Sequence, residues 1–286
     1  KTAAFSIPVL ERVEAGQQVS RALMLSPTRE LAQQIAKECQ GLAKFKDVEV
    51  VTLVGGLPIG PQEDQLRKGP EILVGTPGRV LDHARRGNLD LSTIQHVVLD
   101  EADEMLSMGF FEDVTKIMSA TEEGRQVLLF SATISPETER LVRAFLVDPE
   151  QIQLSTDADN VENIHHIIYE TDPSVHKVRS LLYLLDIENP SSAIIFCNTR
   201  EDTATVASFL DRQGLDVQLI SGELSQSRRS QVMERVKSGD VRFLVATDVA
   251  ARGIDISNLS HVINYALPSD PAVYLHRTGR TGRIGK

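Results

Sequence analysis

Short apolar runs alternate along this chain with longer amphipathic segments, and the alternation starts again halfway. The first set of runs is Ala22–Ser26, Glu49–Val54, Ile72–Gly75, His96–Asp100 and Gln126–Phe130. Helical patterns lie between them, one opening after Thr28 and another after Pro77. Strands separated by helix-length segments pair in parallel, so the spacing predicts an α/β sheet. A polar stretch without apolar periodicity, Ser155–Asn163, interrupts the pattern and reads as a linker. Beyond it come strand candidates Ile164–Glu170, Ala193–Cys197, Val217–Ile220, Phe243–Ala246 and His261–Asn264, with helices expected over Glu201–Gln213 and Gln226–Ser238. The expected fold is therefore two tandem α/β domains, each a mostly parallel sheet flanked by helices. Their expected bounds are 1–155 and 164–286, with 156–163 as linker; a chain of 286 residues is long enough for both. Two such halves are expected to face a shared cleft. Open parallel sheets bind ligands at the carboxyl ends of their strands, and the polar motifs of this chain fall just after predicted strands.

Charge limits what could bind there. The net charge is −10, which argues against a broad basic face for nucleic acid. The excess is uneven. Residues 1–160 hold 16 basic and 25 acidic side chains, whereas residues 161–286 hold 14 and 15. Any nucleic-acid site must then be a local cleft. No apolar run approaches the ~20 residues of a membrane span, so no membrane association is expected. Cys39 and Cys197 have no metal-ligand spacing and sit in apolar segments. They read as buried thiols, which suits a reducing, cytoplasmic setting.

The most informative stretch is His96-Val97-Val98-Leu99-Asp100-Glu101-Ala102-Asp103, where an apolar strand delivers two adjacent carboxylates to its end. In P-loop ATPases the first such carboxylate holds Mg²⁺, and a neighbouring glutamate can take a proton from an attacking water. Alone, an Asp-Glu pair is more often a helix cap. Here the chain also opens Lys1-Thr2 before a helical run, Ala3–Val13, as a Walker A loop ends, with Lys for the phosphates and Thr for Mg²⁺. Near the other end, His276-Arg277-Thr278-Gly279-Arg280-Thr281-Gly282-Arg283 spaces arginines three apart. That spacing predicts Arg277, Arg280 and Arg283 on one side of a turn, available for phosphate charge; the alternative is a solvated basic patch.

With these pieces in place the chain is identified as resembling the DEAD-box ATP-dependent RNA helicases of superfamily 2, along its whole length. Pro27-Thr28-Arg29-Glu30-Leu31-Ala32 resembles motif Ia, Gly55-Gly56 the double glycine, and Thr76-Pro77-Gly78-Arg79 motif Ib. Asp100–Asp103 spells motif II, Ser131-Ala132-Thr133 motif III, and Ile195–Arg200 motif IV. Gln226–Arg229 resembles the QxxR element, Thr247–Asp255 motif V and His276–Arg283 motif VI. The resemblance implies two RecA-like domains of the P-loop NTPase type, with ATP and Mg²⁺ as cofactors. It implies RNA-stimulated ATP hydrolysis coupled to local unwinding of short RNA duplexes and RNP remodelling. Residue by residue, it implies Lys1, Thr2, Gly253 and Asp255 at the nucleotide and Thr2 and Asp100 at Mg²⁺, largely through water. It implies Glu101 as catalytic base, Arg280 and Arg283 as arginine fingers, and Asp103, Ser131, Thr133 and His276 as coupling residues, with Asp103 reaching the second domain as well.

For RNA the same resemblance implies Pro27, Thr28, Arg29, Gly55, Gly56, Thr76, Pro77, Gly78 and Arg79 in the first half. In the second half it implies Arg200, Gly222, Gln226, Arg229, Thr247 and Asp248. Glycines permit close backbone approach, helix N-termini offer N–H groups, and arginine adds charge. Singly, each is an ordinary turn or helix start. Trp is absent and no aromatic cluster interleaves the basic residues, so backbone contact is expected instead of base stacking. The 2′-OH would separate RNA from DNA. A monomer is expected, with protein partners not readable from the chain. An ATP-gated RNA clamp with little unwinding, or a DNA helicase, are the competing readings. Measured against the family pattern, more sequence is expected on both sides: a phosphate-cradling loop and an adenine-reading glutamine before Lys1, and a final strand and helix after Lys286. A chain of this extent alone is expected to turn over ATP weakly or not at all. Ser221-Gly222-Glu223 stands where many members have His-Gly-Asp.

Overall fold

The structure is a computed structural model that describes residues 1–153, 164–221, 224, 226–251 and 259–281. It divides into two compact units, Lys1–Glu150 and Gln151–Lys286. The expected linker, 156–163, lies outside the described residues.

The first unit runs α1 (Thr2–Arg12), β1 (Ala22–Leu25), α2 (Arg29–Ala43), β2 (Val50–Leu53), α3 (Ile59–Leu66), β3 (Ile72–Gly75), α4 (Pro77–Arg85), β4 (His96–Leu99), α5 (Ala102–Ser107), α6 (Phe111–Ala120), β5 (Gln126–Leu129) and α7 (Pro136–Phe145). Its strands pair in parallel in the order β2-β3-β1-β4-β5, with Ala22 registered against Ile72 on one side and His96 on the other. Side chains alternate across a strand. Leu23 and Leu25 therefore join one apolar cluster with Leu53, Leu73, Val97 and Leu99, while Ala22 and Met24 join a second with Val50, Val74 and Val98. Burial on both faces explains why these strands read as continuous apolar runs. Two of the helix starts after strands have a plain local cause. The Thr28 hydroxyl accepts from the Leu31 N–H at 3.3 Å, and Pro77 occupies the first turn of α4, where its missing N–H costs nothing. At the opposite edge, the buried Glu71 carboxylate accepts the Gly16 and Glu49 N–H groups at 2.8 and 2.9 Å, tying two loops to the start of β3.

The second unit runs α8 (Lys177–Glu188), β6 (Ala193–Phe196), α9 (Arg200–Arg212), β7 (Val217–Ile220), α10 (Gln226–Lys237), β8 (Phe243–Ala246), α11 (Asp248–Ala251), β9 (His261–Asn264) and α12 (Pro271–Thr278). Its parallel sheet has the order β7-β8-β6-β9, again covered on both faces by apolar clusters. One expectation fails. Ile164–Glu170 is not a strand. Apart from the half-buried Ile164, its apolar side chains stay in water, with Ile168 at 92% exposure. An apolar run becomes a strand only when a neighbour supplies ladder hydrogen bonds, and among the described residues none pairs with it.

Candidate functional site

The carboxyl ends of β4 and β5 gather the charged groups expected to handle a nucleotide. Asp100 continues the ladder one residue past β4, its N–H donating to Leu25 O at 2.9 Å, which sinks its carboxylate to 1% exposure. Oδ1 accepts from the Glu101 N–H at 2.9 Å and lies 2.7 Å from Lys1 Nζ, at the start of α1. Oδ2 is buried with no hydrogen-bond partner. An acceptor left bare at that depth is costly, and a hydrated cation is the kind of group that relieves it. Among the described residues no group of three His, Cys, Asp or Glu side chains could hold a metal unaided. One carboxylate beside a helix that opens Lys1-Thr2 suits Mg²⁺, which keeps most of its waters and shares phosphate oxygens. Asp100, and the Thr2 hydroxyl at the start of α1, are the groups that could hold it.

Glu101 turns the chain abruptly from β4 into α5. Its backbone is left-handed, φ 52° and ψ 53°, a conformation that costs a side-chain-bearing residue about 1–2 kcal/mol. The turn is held from both sides, because the Ala102 N–H donates to Phe130 O at 3.0 Å and the Met105 N–H to Glu101 O at 3.0 Å. Two residues on, Asp103 fastens this turn to the segment after β5. Its Oδ2 accepts both the N–H and the hydroxyl of Thr133 at 3.0 Å, and its own N–H donates to Ser131 Oγ at 3.2 Å. Ser131 in turn donates to Thr133 O at 2.6 Å. Asp103, Ser131 and Thr133 thus share one hydrogen-bond network.

The other three strand ends of this sheet, β2, β3 and β1, are neighbours and carry the polar turns expected to meet RNA. Pro27-Thr28-Arg29 follows β1, Gly55-Gly56 follows β2, and Thr76–Arg79 follows β3. They are physically joined. The Arg29 guanidinium lies against the double glycine so closely that a Cβ on Gly56 would come 2.0 Å from Nη1, and Gly56 has φ +75°. The positive φ favours glycine there, and any side chain would also have to push the Arg29 guanidinium aside. Arg79 donates from Nη1 and Nη2 to Leu57 O at 3.2 Å.

In the second unit the arginine expectation needs correction. Arg277 is not available as a phosphate-facing cation. It is 1% exposed and, among the described residues, the largest fully buried side chain. Its Nε and Nη2 grip both oxygens of Asp248 at 2.6 and 2.7 Å. Nη2 also donates to Asn198 Oδ1 at 2.9 Å, and Nη1 to Asn264 Oδ1 at 2.8 Å and Ala266 O at 2.7 Å. The guanidinium stacks 4.9 Å from the Phe196 ring. One side chain thereby clamps the ends of β8, β6 and β9. The reason is geometric: α12 ends at Thr278, and tighter i to i−3 hydrogen bonds at Arg280 and Thr281 break the helical spacing. Arg280 is half-buried beyond that break, as is His276 in the last turn of α12. Arg283, Gly253, Asp255 and Gly222 lie outside the described residues, and Gln226 opens α10. Arg200 opens α9 next to its cap, Thr199; Thr247 Oγ1 accepts from the Ala250 N–H at 3.4 Å, and Arg229 donates to Ala250 O at 2.7 Å.

These arrangements can be set beside known proteins. The family model described as DEAD/DEAH box helicase matches residues 1–141, and that described as helicase conserved C-terminal domain matches residues 176–285. The chain is 32% identical to S. cerevisiae Dbp5 solved bound to RNA and ADP BeF3, with a TM-score of 0.89, covering 100% of this chain and 74% of that one. It is 42% identical to a DEAD box protein from Methanococcus jannaschii, covering 76% of it, with a TM-score of 0.54. The chain belongs to the DEAD-box helicase family. Among curated DEAD-box relatives it is 44% identical to the DEAD-box ATP-dependent RNA helicase CshA of Geobacillus kaustophilus over all 286 residues, and it spans 61% of that protein's length. Each of the two units is thus a RecA-like domain of a DEAD-box protein. Among the described residues no helix is long and apolar enough to cross a membrane.

Some side chains that shape these DEAD-box sites carry no mark in the sequence. Asn264 matters only because Arg277 reaches it. His83, inside α4, is fully buried, and burial pushes its pKa below the ordinary 6.5, helped by the nearby Arg79 and opposed by Asp82 and Glu63. A histidine held neutral in the fold but free to charge when unfolded stabilises the fold above pH 6.5, and that stability drains away as pH falls below it. His96, also pushed down by burial, acts in the same sense. Replacing His83 by Gln should therefore flatten the loss of thermal stability just below pH 6.5. An unchanged pH slope would show that His83 is not charged on unfolding there.

Proposed function

We propose that this DEAD-box chain is the ATP-hydrolysing core of an RNA helicase. The observation that carries the reading is the state of Asp100: buried, salt-bridged to Lys1 through one oxygen and bare at the other, beside the left-handed Glu101. Bound Mg²⁺ would draw negative charge from the phosphates. Lys1 adds a point charge for the same oxygens, and the carboxylate of Glu101 takes the proton of the attacking water. Arg280 and Arg283 supply charge to the phosphoryl group in transfer, with Gly253 and Asp255 at the nucleotide. Asp103, through Ser131 and Thr133, makes the turn that holds Glu101 move as one piece with the segment after β5.

RNA is held along β2, β3 and β1 by Gly55, Gly56, Thr76, Pro77, Gly78, Arg79, Pro27, Thr28 and Arg29, and in the second unit by Arg200, Gly222, Gln226, Arg229 and Thr247. Asp248 serves the RNA side indirectly, since both its oxygens are committed to Arg277. The contacts are to phosphate and sugar, so little sequence preference is expected. The relatives' names and the RNA-bound Dbp5 structure support the reading.

The test is ATP hydrolysis with and without RNA, run beside displacement of a short RNA duplex. Stimulation by RNA and ATP-dependent displacement are expected. Equal stimulation by DNA of the same sequence would overturn the choice of RNA, and stimulation without displacement would make the protein a clamp. Arg280→Ala should lower turnover by roughly 10³-fold. A near-normal rate would remove Arg280 from the reaction.

A further inference from the structure

The turn carrying Gly55-Gly56 has no side chain of its own to hold its shape, and a flexible turn would have to be ordered each time RNA binds. The structure supplies an outside support. Gln62, in the first turns of α3, is buried, and its Nε2 donates to Val54 O at 3.1 Å and to Pro58 O at 3.2 Å. Those two carbonyls bracket Gly55-Gly56-Leu57. One carboxamide therefore closes the turn across its mouth. Because both acceptors require the nitrogen, the Gln62 Oε1 must face the other way, where His83 Nε2 lies 3.4 Å off. His83 must then be the donor, which fixes its proton on Nε2 and leaves Nδ1 bare; Nδ1 is in fact buried without a partner. The same turn receives Arg79 at Leu57 O and carries Arg29 on Gly56, so its shape sets where both guanidinium groups lie.

We propose that Gln62, held by His83, is a positioning residue for RNA binding: it presets the double-glycine turn, and through it Arg29 and Arg79, in the conformation that receives the sugar-phosphate backbone. Neither residue touches the RNA. This rests on the reading of Gly55-Gly56 and Arg29 as RNA contacts, and the two can be told apart.

The probe is a short fluorescein-labelled oligouridylate, titrated with the full chain in the presence of a non-hydrolysable ATP analogue. Gln62→Met keeps the volume and loses the donor. It should weaken RNA binding by about tenfold, the ratio that one hydrogen bond of ordinary size commands. Amide hydrogen exchange should quicken at Gly55 and Gly56 and not in the sheet. Arg29→Ala is the companion arm. Weak binding by Arg29→Ala with normal binding by Gln62→Met overturns the positioning role alone. Normal binding by Arg29→Ala removes this edge from the RNA site altogether. His83→Gln, which retains an amide donor, should bind RNA as the unaltered chain does, while His83→Leu should fall with Gln62→Met. Equal affinities for the two His83 variants would also overturn the proposal, and this pair decides the matter if Gln62→Met does not fold.

Discussion

Replacing Arg277 by Ala should remove a large share of the stability of the second unit while leaving the first unit's unfolding unchanged. The side chain is buried and donates five hydrogen bonds, two of them to a carboxylate. Truncation strands Asp248 beside an apolar sheet end and deprives Asn198 and Asn264 of their donor. Removing one partner of a fully buried ion pair costs about 3–5 kcal/mol; Asp248 keeps 24% exposure and water can reach it, so the lower end of that range applies. A domain of this size has only about 5–15 kcal/mol in all. A fall of on the order of 10–20 °C in the midpoint of the second unit is therefore expected. The two units have separate cores, so calorimetry should show one transition moving past a fixed one. Arg277→Lys should recover little, since an ammonium cannot fork across Asp248 and still reach two asparagines. A small, equal shift for both substitutions would show that the clamp contributes little.

That expectation could not have come from the sequence. Three arginines at spacings of three read as a charged face, because the spacing says which side chains share a side of a helix and nothing about whether the side is wet. Arg277 is internal because Asn198, 79 positions away, and Asp248, 29 away, arrive at the same point when β6 and β8 pair. Long-range pairing of this kind leaves no local periodicity. The same holds for Gln62 and His83. By contrast, the strands of both sheets were legible, since parallel strands buried on two faces must be short apolar runs. Thr28 was legible as a helix start and Gly55-Gly56 as a turn, because capping and left-handed backbone restrict residue type locally. Asp100 and Glu101 stood out as carboxylates at a strand end. The sequence could not show that one carboxylate oxygen would be buried without a partner, or that Glu101 would occupy a strained turn. Ile164–Glu170 failed for the opposite reason: its pattern was right for a strand, and no described neighbour pairs with it.

Glu101→Gln should lower ATP turnover by about 10²–10⁴-fold, the usual worth of a positioned general base, or about 3–5 kcal/mol of barrier. The change is nearly isosteric. Glutamine meets the same left-handed backbone, and the hydrogen bonds that hold the turn, Ala102 N–H to Phe130 O and Met105 N–H to Glu101 O, involve only the main chain. Asp103 keeps its bonds to Thr133, so the turn stays where it is. The substitution removes the ability to accept a proton. Nucleotide binding should survive, because Lys1 and Asp100 are untouched, and RNA should be released more slowly once ATP can no longer be cleaved. Asp100→Asn should behave differently. It removes the charge that faces Lys1 at 2.7 Å and the acceptor suited to Mg²⁺, so nucleotide affinity itself should fall. Rapid-quench measurement of ATP cleavage, set beside equilibrium binding of a fluorescent ATP analogue, separates the two. If Glu101→Gln cleaves ATP within a few-fold of the unaltered protein, the base is some other group and the strained turn serves another purpose. If it binds nucleotide as poorly as Asp100→Asn, Glu101 belongs to the binding site and not to the proton transfer.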